Sequence, residues 1–333
     1  MLRLPPFDYV APKTLAEAVA LKKEYGDLAM YVAGGTDLYP KMKRRQMEPK
    51  ALISLSEIDE LRTFGNGAGM TIGASITLTE VANHPQIKEQ YPALSQAAAL
   101  VSSPPLRNAG TIGGNLCVDT RCTYYDQTFP WRKALGFCMK KDGDVCWVAL
   151  SSPKCLAVSS SDCAPVAIAL GATVHLVGSE GERTVPVEVM YRDDGQFYLA
   201  KSPDEILVSI HLPPCAGWRM AYWKLRRRGS IDFPILGVAV ALHLDEEGVC
   251  TEGRVALGAV ASRPVVLDEE VNGILVGQKL TPELVEAFAQ KASRPAKPMD
   301  NTDMNLSYRK KMARVYIAGA LSEAAGVAVN SKQ

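Results

Sequence analysis

The chain has 333 residues, 47% of them hydrophobic and 22% charged, with a formal net charge of +1 at pH 7. That length supports two or three domains with substantial cores, and the near-neutral balance gives no electrostatic footprint for nucleic acid or an anionic membrane surface. No apolar run reaches membrane-spanning length, and the opening MLRLPPFDYVAPKT has no apolar core of signal-peptide size, so a cytoplasmic protein is expected, whose eight cysteines stay reduced rather than paired.

In chain order, Thr14-Leu15-Ala16-Glu17 has the spacing of a capping box and predicts a helix that stops at Gly26. Strands are predicted over Leu28 to Val32 and Ala51 to Leu55, making residues 1–57 a small α/β unit. A second unit, residues 58–214, has a strand at Gly69 to Ala74 and helices at Thr79 to Asn83 and Ala93 to Val101. Ser102-Ser103-Pro104-Pro105 breaks that pattern, Cys117 to Ser161 has little periodicity, and order returns with a helix at Ala164 to Leu170 and strands at Ala172 to Val177 and Glu205 to Leu212. Pro213-Pro214 and Gly217 mark the best domain boundary. Beyond it, in residues 218–330, come strands (Met220 to Leu225, Gly237 to Leu244, Arg254 to Val260) and then helices opening at Thr281 and near Ser307, an α+β arrangement.

Two glycine motifs carry candidate chemistry. In Ala33-Gly34-Gly35-Thr36-Asp37 a strand ends in paired glycines, which can turn several N–H groups toward one phosphate oxygen, and Thr36 adds a hydroxyl. A strand ending in Gly-Gly is most often a plain turn, and neither GxGxxG nor GxxxxGK is present, so no Rossmann site or P-loop is supported. The second motif, Arg107 to Asn115 (RNAGTIGGN), is another donor-rich loop, and two such loops in neighbouring units suit the two phosphates of one dinucleotide.

These motifs, with Ser161-Asp162-Cys163-Ala164-Pro165, Pro203-Asp204-Glu205-Ile206-Leu207, Tyr222-Trp223-Lys224 and Ser307-Tyr308-Arg309, resemble the FAD-binding subunits of the molybdenum hydroxylases over nearly the whole chain. The family includes the medium subunit of aerobic carbon monoxide dehydrogenase and the flavin domain of xanthine dehydrogenase. The resemblance implies an α+β fold of two FAD-binding subdomains followed by an α+β C-terminal domain. It assigns Val32, Ala33, Gly34, Gly35, Thr36, Asp37 and Leu38, with Val101, Gly110, Thr111, Gly114 and Asn115, to the pyrophosphate and ribityl chain, and puts Asp162, Leu207 and Lys224 near the isoalloxazine ring. The plainer readings are that Asp162 caps the following helix and that Lys224 is a solvated strand residue.

Between Asn115 and Ser161 the chain departs from the common pattern, with an insert at about 120–158 that carries Cys122, Cys138, Cys146 and Cys155. Four thiolates on one loop suit an iron–sulfur cluster. The spacing CX15CX7CX8C has none of the close CxxC pairs of zinc ribbons or ferredoxins, so spacing alone does not name the metal. A flavin subunit with such an insert resembles the 4-hydroxybenzoyl-CoA reductases, which implies a [4Fe-4S] cluster beside FAD. It further implies ferredoxin as electron donor, a small [2Fe-2S] subunit and a large molybdenum-cofactor subunit in a dimer of heterotrimers, and reductive dehydroxylation in anaerobic aromatic degradation. An oxidative molybdenum hydroxylase and a zinc-stapled scaffold without flavin are the alternatives. The insert is expected to be removable as a unit. Cys117, Cys163, Cys215 and Cys250 read as packing residues, and the basic runs Lys41 to Arg45 and Arg226 to Arg228 as solvated faces.

Overall fold

A computed structural model describes residues 3–328. The first segment holds β1 (Asp8–Val10), α1 (Leu15–Tyr25), β2 (Ala29–Val32), α2 (Leu38–Lys43) and β3 (Ala51–Ser54), with all three strands parallel in the order β1-β3-β2. Helix α1 starts where expected because Thr14 accepts from the Glu17 amide while the Glu17 carboxylate accepts from the Thr14 amide.

The second segment contains β4 (Phe64–Gly67), β5 (Gly69–Gly73), α3 (Leu78–Asn83), α4 (Pro85–Gln90), α5 (Pro92–Leu100), α6 (Pro104–Arg107), α7 (Ile112–Leu116), α8 (Phe129–Ala134), α9 (Cys163–Ala169), β6 (Thr173–Gly178), β7 (Gly181–Pro186) and β8 (Ile206–Leu212). Its sheet is antiparallel in the order β4-β5-β8-β6-β7. The third segment has β9 (Trp218–Leu225), β10 (Leu236–Leu244), β11 (Cys250–Gly258), β12 (Val265–Val266), α10 (Asp268–Ile274), α11 (Pro282–Ala292) and α12 (Leu306–Ala325), with an antiparallel sheet ordered β12-β11-β10-β9.

Strand alternation explains how the layers stack. On β10, Leu236, Val238, Val240 and Leu242 face a core completed by Phe288 of α11 and Ile317 and Leu321 of α12. Ala239 and Ala241 point the other way and join a core with α5 and α9. That helical layer lies on the five-stranded sheet through Ile72, Val174 and Ile210, while Ile206 and Val208 of β8 help cover the first segment beside Ala18 and Ile53. Small side chains on the middle layer let helices and sheet approach closely.

The structure adds elements that the periodicity did not signal. Strand β7 (GERTVP) is an exposed edge strand paired only with β6, so it carries no apolar alternation to read. The basic run Lys41 to Arg45 is not a solvated face, because Lys41 is fully buried with its ammonium 2.6 Å from Asp119.

The insert is closed at its base by paired backbone bonds between Arg121 and Val158. It is also stitched to all three segments, contrary to the expectation of a removable unit. Gln46 donates to the Tyr125 carbonyl, the buried Arg132 to the carbonyls of Arg44 and Arg45, and Asn301 to the Leu156 carbonyl, while the Gly195 amide donates to the Cys155 carbonyl. Among the described residues no helix is long and apolar enough to cross a membrane.

Candidate functional site

The two glycine loops meet. Loop Ala33 to Asp37 runs from the end of β2 into α2, and Gly35 adopts φ +67°, a left-handed conformation that side chains disfavour. A Cβ at Gly34 would collide with the Ala109 carbonyl of the second loop, so the close approach of the loops requires glycine there. In the second loop the Thr111 hydroxyl accepts from the Gly114 amide at 3.0 Å and caps α7, and the amides of Ile112 and Gly113 are bound to the carbonyls of Ile76 and Ala74. The Asn115 side-chain oxygen accepts from Ser161 at 2.8 Å and from the Cys163 amide at 3.1 Å, fixing the start of α9.

Between the loops opens a cleft of about 440 Å³. Val32, Ala33, Gly34, Gly35, Thr36, Asp37, Leu38, Val101, Gly110, Thr111, Gly114 and Asn115 all line it. It is open to solvent and lined by both glycine loops, as a dinucleotide site held by backbone would be.

Three residues assigned near the flavin ring do not line this cleft. Lys224 donates to Asp162 at 2.9 Å and to the Leu100 carbonyl at 3.0 Å, and Tyr222 donates to the second Asp162 oxygen at 2.8 Å. The Lys224 and Asp162 side chains are 1% and 2% exposed, sealed between β9 and α9. Burial pushes the Asp162 carboxyl up, which Lys224 and Tyr222 only partly offset, and pushes the Lys224 ammonium down. Asp162 makes no capping bond and Lys224 is not solvated, so the plainer readings are corrected too. The pair stands behind the cleft wall, one residue from Val101. Leu207 is buried in the core packed against the sheet rather than on the cleft.

The structure also contributes cleft residues that no motif signalled. Ile231 and Phe233 arrive from the third segment, where the Ile231 amide donates to the Ser102 carbonyl, and Tyr31, Arg121 and Tyr198 complete the wall. Arg121 lies 3.9 Å from the Phe233 ring centroid and is ion-paired with Asp37 and Asp126. The only sequence signal among these was the turn-forming Ser102-Ser103-Pro104-Pro105.

A second, nearly filled chamber of about 10 Å³ is lined by Cys122, Cys138, Cys146 and Cys155. All four are buried and free, brought together although they span 34 positions of chain from 122 to 155. Burial, reinforced by neighbouring cysteines, pushes the Cys122 thiol up to about 12 and the Cys155 thiol up to about 11. Burial therefore favours the protonated thiols at Cys122 and Cys155 unless a positive charge stands beside them. Among the described residues no three His, Cys, Asp or Glu side chains are drawn together tightly enough to hold a metal ion, so the expected four-cysteine cluster site is not formed by this arrangement alone. Lys140 also lines the chamber, and its positive charge would offset part of the negative charge of four thiolates around a bound centre. Cys163 and Cys250 are fully buried apart from this group, Cys117 borders the dinucleotide cleft, and half-buried Cys215 donates to the Gln90 carbonyl.

Comparison with known proteins identifies the architecture. Residues 5–215 match the FAD binding domain in molybdopterin dehydrogenase, and residues 220–324 the CO dehydrogenase flavoprotein C-terminal domain. The carbon monoxide dehydrogenase medium chain of Hydrogenophaga pseudoflava is 31% identical over 325 residues, covering 96% of this chain and 97% of that one. The aldehyde oxidoreductase FAD-binding subunit of Escherichia coli is 34% identical over 269 residues, covering 78% and 82%. Solved carbon monoxide dehydrogenase structures superpose closely. The one from Hydrogenophaga pseudoflava has a TM-score of 0.78 at 29% identity over 97% of this chain and 98% of that one, and the one from Oligotropha carboxidovorans has 0.79 at 28% over 98% and 100%. The chain thus belongs to the FAD-binding medium subunits of the molybdenum hydroxylases.

Proposed function

We propose that this chain is the electron-transferring flavin subunit of a reductive molybdenum hydroxylase of the 4-hydroxybenzoyl-CoA reductase type. The observation that carries this reading is the convergence of Cys122, Cys138, Cys146 and Cys155 on one buried chamber inside a flavoprotein of this family. When bound, a [4Fe-4S] cluster in the chamber would supply one-electron chemistry, and FAD in the cleft would supply both one- and two-electron chemistry.

The chain's own residues do the rest. Gly34, Gly35, Gly114 and the cap at Thr111 would give the cofactor's phosphates close access to backbone, Asp37 and Arg121 fix the cleft wall, and the buried Tyr125 with half-buried Tyr124 and Trp147 lines the chamber. Partners would be a large molybdenum-cofactor subunit and a small [2Fe-2S] subunit in a dimer of heterotrimers, with ferredoxin as donor, in the cytoplasm. The complex as a whole would remove the phenolic hydroxyl of 4-hydroxybenzoyl-CoA.

The test is anaerobic purification with iron, sulfide and flavin analysis. About four irons and four sulfides per flavin are expected from the four-cysteine ligand set. Alanine at any of Cys122, Cys138, Cys146 or Cys155 should lower cluster iron, whereas Cys215→Ala and Cys250→Ala should not. Flavin without iron would favour the second reading, an oxidative flavin subunit, which similarity to carbon monoxide dehydrogenase medium chains supports. Colourless protein containing zinc would overturn both.

A further inference from the structure

We propose that Lys140 is a positioning residue that links the cysteine chamber to the flavin cleft, its ammonium favouring the reduced, more negative state of the redox groups on either side. The inference rests on the functional reading above.

Lys140 lies between the two spaces, beside the buried Lys41, which also meets Asp119 and the Tyr125 ring. It lines the cysteine chamber, and its ammonium donates to Asp119 at 2.7 Å, to the Thr120 hydroxyl at 2.7 Å and to the Gly195 carbonyl. Asp119 lines the flavin cleft, and its other oxygen accepts from Lys41 at 2.6 Å. The same ammonium lies 5.0 Å from the ring centroid of Tyr125, on the chamber, and 5.5 Å from that of Tyr198, on the cleft. A single cation is therefore in contact with the lining of both spaces, with its side chain 5% exposed.

Its three donors are all satisfied, but the partly buried ionic network it joins carries one more cation than carboxylate. Asp119 is shared between Lys140 and Lys41, and the connected network continues through Asp126, Arg44, Arg121 and Asp37, which sets four cations against three carboxylates. A buried surplus charge is costly unless something of opposite sign faces it. Groups that become more negative on reduction would provide that sign on both sides. Removing the cation should then lower their midpoint potentials, and removing the Asp119 charge should raise them.

The experiment uses the full chain in its assembled complex, titrated anaerobically, with the flavin followed by absorbance and the cluster by electron paramagnetic resonance. Lys140→Met keeps the stem between the two tyrosines and should lower both midpoints with iron and flavin contents unchanged. Lys140→Arg should stay near the parental values, as should Lys141→Met at the exposed neighbour, and Asp119→Asn should shift both midpoints upward. Shifts of the same sign in Lys140→Met and Asp119→Asn, or no shift in either, overturn the proposal, because a purely structural role predicts no opposition of sign. If Lys140→Met does not fold, a parental value for Lys140→Arg together with a raised one for Asp119→Asn supports it, and any other pair overturns it. Wild-type protein with flavin and no iron refutes the cluster reading, while the flavin midpoint alone still decides for or against Lys140 by the same opposition.

Discussion

The flavin cleft and the cysteine chamber are built by opposite means. The cleft is a backbone structure, made where loops from distant segments come close enough that Gly34 tolerates no side chain against Ala109. The chamber is a side-chain structure, its four thiols supplied by one irregular insert that has a single short helix, α8. A backbone site depends on a few permissive positions. A side-chain site in a loop depends on whatever holds the loop still, and here that is a set of buried polar bonds to the rest of the molecule.

The sharpest way to break this contrast is to delete the insert. Joining Asp119 to Ser159 through a short Gly/Ser linker removes the partners of Gln46, Asn301 and the fully buried Lys41 network, so soluble, flavin-loaded protein is not expected. Normal flavin content in that excised chain, read from absorbance, would show that the stitching is dispensable.

Next in size, Gly34→Val should abolish flavin binding by forcing the two loops apart, and Gly35→Val should do the same through its left-handed φ and its contact with the Tyr39 ring. Retained flavin in either would mean the loops yield more easily than their packing suggests.

A smaller effect is expected behind the cleft. Lys224→Met strands the Asp162 carboxylate in a sealed site, which should cost about 3–5 kcal/mol. The midpoint of denaturant unfolding checks this, and a change within about 0.5 kcal/mol, typical of exposed positions, would contradict the burial.

The smallest effect is a pH dependence at the boundary between the two sites. Burial opposes the charge of Asp119, but the ammoniums of Lys140 and Lys41 more than offset it and hold its carboxyl below the usual carboxylate range. Its stabilising contribution is then complete above the unfolded value of about 3.9 and is lost as pH falls through the lower folded value. Thermal unfolding followed below about pH 4 should therefore steepen with acid in the parent and less so in Asp119→Asn.

How much of this could be read from sequence follows the same division. The glycine motifs and the helix caps at Thr14 and Thr111 are local, so short stretches of sequence disclose them. Lys41 looked like part of a solvated basic run because its partner Asp119 lies 78 positions away, and pairing at that distance leaves no local pattern. Phe233 and Ile231 were invisible for the same reason, coming to the cleft from beyond an evident domain boundary. Asp162 and Lys224 shared family-like segments with the cleft residues, yet sequence does not say which face of β9 or which side of a wall a charge occupies. The wide cysteine spacing pointed to four related residues, while the polar bonds that hold the insert in place all run to distant positions.

One of those bonds also bears on the order of assembly. Asn301, close to the far end of the chain, accepts from the Thr123 amide and donates to the Leu156 carbonyl, tying down the backbone beside Cys122 and Cys155. That clamp closes only once a residue 145 positions beyond Leu156 has been synthesised and has packed back onto the insert, whereas domains otherwise tend to fold from the N-terminus during synthesis. Completion of the cysteine chamber is consequently coupled to the docking of the third segment rather than to folding of the insert alone.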